Sequence, residues 1–283
     1  MLNAQAFGKL QLAHRQTVLD HFPTRHVEEL LGFLLLKPQV HHTREKLITQ
    51  LWPEVDLSQG RHRFSIVLSR LRKMFLQLEA PFDHYVHATR EWVAFVPEQP
   101  FTFDCEQFLA HYHAGFRADN LTQRESLLRA AVALYRADLM EGIYADWCLS
   151  ERERLARLRL RALGQLMHCC LQREAYAEAI DFGHAILQDD PLREEVHRAL
   201  MECYTRQDRH DLAARQYQIC FDLLQRELNE LPLVDTTELY QQIMATRARA
   251  ALDNPRHSPA HKQAIQAALA DFQQAAGRLN ALL

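Results

Sequence analysis

The residues Leu57–Phe75 (LSQGRHRFSIVLSRLRKMF) have the types and spacing that most clearly predict a chemical role. This stretch contains no acidic residue, although the whole chain has a net charge of −3. Its large apolar residues recur at intervals of four, three and four positions, which is the spacing of one face of an α-helix. An amphipathic helix with a basic outer side is suited to contact a polyanion such as DNA. The basic residues are Arg61, Arg63, Arg70, Arg72 and Lys73, and the apolar ones are Phe64, Leu68, Leu71 and Phe75.

The outward face of this helix predicts which residues would read DNA. The major groove admits one helix, and the side chains that point away from the protein core meet the base edges. The residues expected to contact bases are Ser65, Ile66, Ser69 and Arg70. An isoleucine on this outer face suits contact with a thymine methyl group. The residues expected to hold phosphates are Arg61, Arg63, Arg72 and Lys73. A basic helix face that merely contacts solvent is the alternative.

The elements around this helix predict a winged helix. Residues 43–52 form a shorter helix that Pro53 ends, so a helix-turn-helix pair is expected. Residues 25–36 form an apolar helix, and residues 7–19 alternate between apolar and polar as a short hairpin or a meander does. Residues 84–96 suggest two short strands around a turn near Thr89–Glu91. The tip of this turn is Arg90, which either enters a minor groove or is an ordinary exposed arginine.

The chain after Pro97 and Pro100 is predicted to be helical and repetitive. A shift of 34 residues aligns Leu166 with Leu200 and Cys169 with Cys203, and this is the period of tetratricopeptide (TPR) repeats. The two clearest units are residues 156–189 and 190–223, and the flanking helices are expected at 106–116, 121–136 and 235–247. Because each unit exposes an apolar face, stacking must bury it. Trp147 is expected to be a structural anchor where the first helical pair meets the long helix of the first unit.

A last helix is predicted at about residues 260–283, with apolar residues in a heptad pattern. This tail either makes the protein a dimer or folds back onto the last TPR helix. The residues proposed for self-association are Ile265, Leu269, Phe272 and Leu279.

Composition limits the function classes. Residues 1–103 have two more basic than acidic side chains, whereas the remainder has five more acidic than basic ones. A basic N-terminal part and an acidic C-terminal part fit a nucleic-acid-binding domain joined to a protein-interaction domain. The six cysteines include no CxxC pair, so reduced and mostly buried thiols are expected. We expect no signal peptide, membrane span, metal site, cofactor or catalytic set, and therefore a cytoplasmic protein that is not an enzyme.

The order of these elements and several motifs resemble the SARP-type bacterial transcriptional activators. That family joins an OmpR-type winged helix to a bacterial transcriptional activator domain (BTAD) of TPR-like helices. The motifs that carry the resemblance are REKLITQLWPEVD at 44–56, VLSRLRKMF at 67–75, FTFDCEQF at 101–108, ALYRADLMEGIYADWCLSERERL at 133–155 and DPLREEVHRALM at 190–201.

The resemblance implies a DNA-binding activator that helps recruit RNA polymerase holoenzyme and binds repeats with two protomers side by side. Arg70 and Arg72 match the DNA-contacting arginines of the family. In the wider OmpR-type class, the loop that here holds Glu54 and Asp56 often touches RNA polymerase, although it equally suits a plain acidic loop. The wing departs from the family, because Glu91-Trp92 stands where a Gly-Tyr strand is usual.

The predicted fold is therefore mainly α, with a small α+β winged helix-turn-helix domain followed by an all-α TPR-like array and a C-terminal helix. The predicted domains are residues 1–102, 103–247 and 248–283. The predicted function is sequence-specific binding of double-stranded DNA and regulation of transcription, with a homodimer at least on DNA. The alternative is a TPR interaction adaptor or ligand sensor in which the winged helix is only a scaffold.

Overall fold

Strands and helices alternate as far as residue 103, and only helices follow, in a computed structural model that describes residues 1–253 and the single positions 267 and 270. The strands of the described residues are β1 (Leu2–Gln5), β2 (Gln11–His14), β3 (Thr17–Leu19), β4 (His42–Thr43), β5 (Val86–Ala88), β6 (Trp92–Phe95) and β7 (Phe101–Phe103). The helices are α1 (Arg25–Leu35), α2 (Arg44–Leu51), α3 (Leu57–Gln77), α4 (Asp104–Arg117), α5 (Leu121–Leu134), α6 (Asp146–Gln172), α7 (Tyr176–Asp189), α8 (Glu194–Arg206), α9 (His210–Leu228) and α10 (Val234–Asp253). This order confirms the predicted fold class. No helix in the part of the chain that the structure describes has the length and apolar character needed to cross a membrane.

Helices α1, α2 and α3 form the three-helix part of the winged helix, and local sequence determines where two of them begin. The hydroxyl of Thr43 accepts the N–H of Lys46 at the start of α2, and the carboxylate of Asp56 accepts the N–H groups of Ser58 and Gln59 at the start of α3. Such N-cap bonds satisfy backbone donors that have no partner inside the helix. The two helices approach closely at Gly60, where an added Cβ atom would overlap Cγ2 of Ile48.

Two small sheets flank these helices. The first has the strand order β3-β2-β1-β7, with β1 antiparallel to β2 and parallel to β7. The second has the order β4-β6-β5, and its β5–β6 hairpin is the predicted wing. His42 of β4 is buried beneath the wing and packs against the Phe33 ring, 5.0 Å between centroids. Burial, together with the charges of Lys46 and Lys37, lowers the pKa of His42.

The first compact unit of the chain is Met1–Ala162, so it joins the winged helix to the helices that follow it. The Asp104 carboxylate accepts the backbone N–H groups of Ala6 and Phe7 at 2.9 and 3.1 Å, which fixes the chain after β1 to the start of α4. Trp147 is half-buried, and its ring meets Phe33 of α1 edge-on at 5.4 Å. The partner of this predicted anchor is therefore a winged-helix residue. The predicted boundary at residues 102 and 103 lies inside this unit and stays a prediction.

The second unit begins at Leu163, and its helices pack in chain order from α7 to α10. Both pairs that the 34-residue period aligns, Leu166 with Leu200 and Cys169 with Cys203, are buried. The six cysteines are free and buried, as the absence of a disulfide or CxxC pattern predicts. His197 is buried as well, and its ring nitrogens bond the Pro191 carbonyl and the Gln216 amide at 2.9 and 2.7 Å. Burial lowers the pKa of His197, which suits a neutral imidazole between these two polar groups.

Candidate nucleic-acid interface

Helix α3 separates its residues into a core side and a solvent side as the sequence predicts. The apolar positions Phe64, Leu68, Leu71 and Phe75 are at most 3% exposed, and Val67 and Met74 join them in the core. All nine residues predicted to contact DNA are exposed to solvent. They are Arg61, Arg63, Ser65, Ile66, Ser69, Arg70, Arg72, Lys73 and Arg90. The structure therefore presents on one helix and one wing the side chains that the spacing indicated.

Several of these cations lack an acidic partner. Among the described residues, neither a hydrogen bond nor an ion pair engages the side chains of Arg63, Arg70, Lys73 or Arg90. Charged side chains without a partner on one face produce a positive field that attracts anions. The same face includes Ile66, which is 40% exposed; the other exposed large apolar residues of α3 are Leu57 and Leu76, close to the two ends of the helix.

Three of the predicted contacts have internal partners. Arg61 forms an ion pair with Glu45 of α2, with 2.9 Å between Nη2 and Oε1. The hydroxyl of Ser65 donates to the backbone carbonyl of Arg61 at 2.9 Å, so it is available to DNA as an acceptor. The guanidinium of Arg72 stands over the Phe82 ring, 5.1 Å from its centroid. These contacts orient the three side chains before any ligand arrives.

A cleft of about 420 Å³ lies where α2, α3 and the wing meet. Its lining brings Arg61 and Ser65 of α3 together with Arg90 of the wing tip. Three cationic side chains and two carboxylates line it, the latter from Glu45 and Glu91. The cleft is thus mixed in charge, and one arginine in it was not predicted from the sequence.

That arginine is Arg44, the first residue of α2. Its Nε is buried with no hydrogen-bond partner among the described residues, and its guanidinium lies over the Phe64 ring at 5.7 Å. Burial, with a smaller contribution from the charge of Arg72, lowers the pKa of Arg44. Because Arg44 also lines the cleft, an anion there would lie close to its positive charge. The only sequence signal was its position directly after the N-cap Thr43, where helix N-termini favour anions.

The wing places Arg90 at its tip through a turn stabilised by Thr89. The Thr89 hydroxyl accepts the backbone N–H groups of Glu91 and Trp92 at 3.2 and 3.1 Å. Trp92, which departs from the Gly-Tyr pattern, is half-buried and meets the His41 ring edge-on at 4.1 Å. A wing turn therefore forms without the glycine.

The two predicted loop residues differ in their surroundings. Asp56 caps α3, and its hydrogen bonds to Ser58 and Gln59 hold its pKa below the ordinary value. Glu54 is exposed one residue after Pro53. The tail residues Ile265, Leu269, Phe272 and Leu279 lie outside the described residues.

The chain resembles known proteins in its sequence and in its fold. A family model described as the bacterial transcriptional activator domain (BTAD) matches residues 103–244. The chain is 29% identical over 216 residues to Regulatory protein AfsR of Streptomyces coelicolor, which covers 76% of this chain and 21% of AfsR. It is 27% identical over 234 residues to Regulatory protein AfsR of Streptomyces griseus, with 82% of this chain and 23% of that protein covered. The chain thus spans less than a quarter of the length of these curated relatives.

A solved structure, that of Mycobacterium tuberculosis EmbR in complex with a low-affinity phosphopeptide, resembles the fold with a TM-score of 0.71. The likeness covers 97% of this chain and 70% of that one at 20% sequence identity. Identity at this level supports the fold alone.

Proposed function

We infer the function from one premise: the chain belongs to the bacterial transcriptional activator domain family, whose model matches residues 103–244. We propose that it is a sequence-specific DNA-binding regulator of transcription, and that it acts as an activator. A regulator of this kind works in the bacterial cytoplasm, where the DNA is, and requires no catalytic group or cofactor of its own.

The observation that carries the DNA-binding proposal is the exposed face of α3. Arg63, Arg70 and Lys73 are exposed there without an ion-pair partner among the described residues, on a chain whose net charge is −3. Unpaired cations on one face attract a polyanion and release its counterions on binding, which drives association with DNA. An interaction adaptor that used the winged helix only as a scaffold would not need this face.

Within that face, we propose two roles. Ser65, Ile66, Ser69 and Arg70 contact base edges, because they occupy the solvent side of α3 at helical spacing. Arg61, Arg63, Arg72 and Lys73 contact phosphates and set the position of the helix in the groove.

The cleft extends this interface toward the wing. Because Arg61 and Arg90 line it from α3 and from the wing tip, a DNA backbone between the two grooves fits there. Arg44 is added to the proposed phosphate contacts, since it also lines this cleft. Arg90 then reaches the neighbouring minor groove, where arginine is favoured if that groove is narrow.

Contact with RNA polymerase holoenzyme is proposed for the loop before α3. Glu54 is the better candidate, because it is exposed, whereas the Asp56 carboxylate is engaged in capping the helix. Replacement of Asp56 would disturb α3 itself and therefore would not report on polymerase alone.

The test of the DNA-binding proposal is selection of genomic DNA fragments by the purified protein, followed by sequencing, at two salt concentrations. Sequence-independent binding weakens steeply with salt, while a true site keeps its advantage over bulk DNA. We expect enrichment of a repeated motif at both concentrations. Absence of any enrichment at either one would contradict the proposal and favour an adaptor or a sensor that requires its ligand first.

We also propose that two protomers bind side by side on DNA repeats, and that the heptad residues Ile265, Leu269, Phe272 and Leu279 contribute to self-association or fold back on the same chain. A variant that lacks residues 265–283 distinguishes these roles by light scattering. A dimer that becomes a monomer supports the dimerising tail, and an unchanged mass excludes it.

A further inference from the structure

We propose that Glu45 limits the affinity of this protein for DNA, because it holds Arg61 in an ion pair within the face that meets the phosphate backbone. The inference rests on the DNA-binding function proposed above and assigns a new role to a residue that carries the wrong charge for a DNA contact.

The geometry places this pair inside the proposed interface. Glu45 is on α2 and Arg61 is on α3, sixteen residues later, and their side chains meet at 2.9 Å. Both side chains are exposed, 60% and 65%, so water and ligands reach them. Both line the cleft that Arg44 and Arg90 also line. A phosphate that enters this cleft therefore meets the Glu45 carboxylate as well as the arginines.

The pair is not explained by the stability of the fold. Ion pairs as exposed as this one contribute little to folding, because water already solvates both charges. The α2–α3 junction has stronger determinants, namely the close approach at Gly60 and the caps formed by Thr43 and Asp56. The main effect of Glu45 is therefore expected on the binding of DNA and not on the stability of the fold.

The Glu45 carboxylate competes with a DNA phosphate for Arg61. Arg61 must leave Glu45 before it can bind a phosphate, and the carboxylate that stays behind repels the same phosphate. The sequence-independent contribution to DNA binding therefore becomes less favourable. The contacts of Ser65 and Arg70 with bases are unaffected. The protein then discriminates an operator from bulk DNA at a lower total affinity, which favours release from non-specific sites.

The test compares the wild-type chain of 283 residues with its Glu45→Gln variant on a random-sequence DNA duplex over a series of salt concentrations. We expect the variant to bind about fivefold more tightly, the scale of one exposed charge pair. The slope of log K against log salt should steepen by at most about 0.9, the value for one whole phosphate contact, because Arg61 would bind its phosphate without competition. Arg61→Gln should weaken binding in both backgrounds, and it should weaken binding more in the Glu45→Gln background, where no carboxylate competes for the arginine.

The matched control is Glu79→Gln. Glu79 also forms an exposed ion pair, with Arg15 at 3.5 Å, but it follows the C-terminal end of α3. It lies on the order of 25 Å along the helix from Arg61, at about 1.5 Å per residue. The control makes the same change in net charge and should leave binding nearly unchanged.

Two results would overturn the inference while wild-type DNA binding stands. One is equal behaviour of Glu45→Gln and Glu79→Gln, which would mean that only net charge matters. The other is weaker binding by Glu45→Gln at particular base pairs, which would mean that Glu45 reads a cytosine amino group. If the wild-type protein binds no DNA at any salt concentration, the proposed function fails, and this inference fails with it.

Discussion

Replacing Arg70 with alanine is expected to remove the sequence preference of this protein for DNA. Arg70 is exposed on the solvent side of α3 and has no ion-pair partner among the described residues, so its guanidinium is available to a base pair. A bidentate arginine contact with guanine contributes about 1–3 kcal/mol of discrimination. The specific site should therefore lose roughly 10- to 100-fold in affinity, while random DNA loses much less. The measurement is fragment selection, followed by titration of the enriched duplex.

Two variants make this result specific to Arg70. Arg157→Ala removes an arginine that is also exposed, on α6, where it pairs with Glu153 at 3.9 Å, and it should leave selection unchanged. Lys73→Ala should weaken binding to all sequences alike and lower the salt dependence, as loss of a phosphate contact does. If Arg70→Ala behaves like Lys73→Ala, then Arg70 contacts the backbone and the proposed base contact is wrong.

Replacing Asp104 with alanine is expected to be the most destabilising change of a single polar residue in the first unit. Its carboxylate accepts three backbone N–H groups, those of Ala6, Phe7 and Cys105, and all three residues are buried. Each buried donor left without a partner costs about 1–3 kcal/mol. The free energy of unfolding should fall by about 3 kcal/mol or more, measured by urea denaturation at neutral pH.

The control for this change is Glu106→Ala, in the first turn of the same helix. Glu106 is exposed, so its loss removes only a favourable interaction with the helix N-terminus, about 0.3–1 kcal/mol. Equal destabilisation by the two variants would contradict the role of Asp104 as the link between the chain after β1 and α4. The same comparison by near-ultraviolet circular dichroism reports whether the aromatic contacts around Phe7 are retained.

Much of this molecule follows from local sequence. The period of Phe64, Leu68, Leu71 and Phe75 determines which side of α3 is buried, and therefore which side presents Arg70 and Ile66. Helix starts are equally local, because a capping side chain such as Asp56 lies within three residues of the donors it satisfies. The 34-residue repeat predicts the later helical pairs for the same reason, since each pair is one local unit stacked on the next.

Contacts between residues that are distant in sequence depended on the tertiary structure. No local pattern in β7 predicts that this strand pairs in parallel with β1. Phe101 nevertheless pairs with Leu2, almost a hundred residues earlier in the chain. No pattern pairs Trp147 with Phe33, or Glu45 with Arg61, because periodicity reports which face of one helix is buried and not which neighbour covers it. The unsatisfied Nε of Arg44 is likewise a product of packing. Local sequence therefore determined the helices and the basic face of α3. Only the tertiary structure decided that Arg61 on this face is paired with Glu45, whereas Arg63, Arg70 and Lys73 have no acidic partner among the described residues.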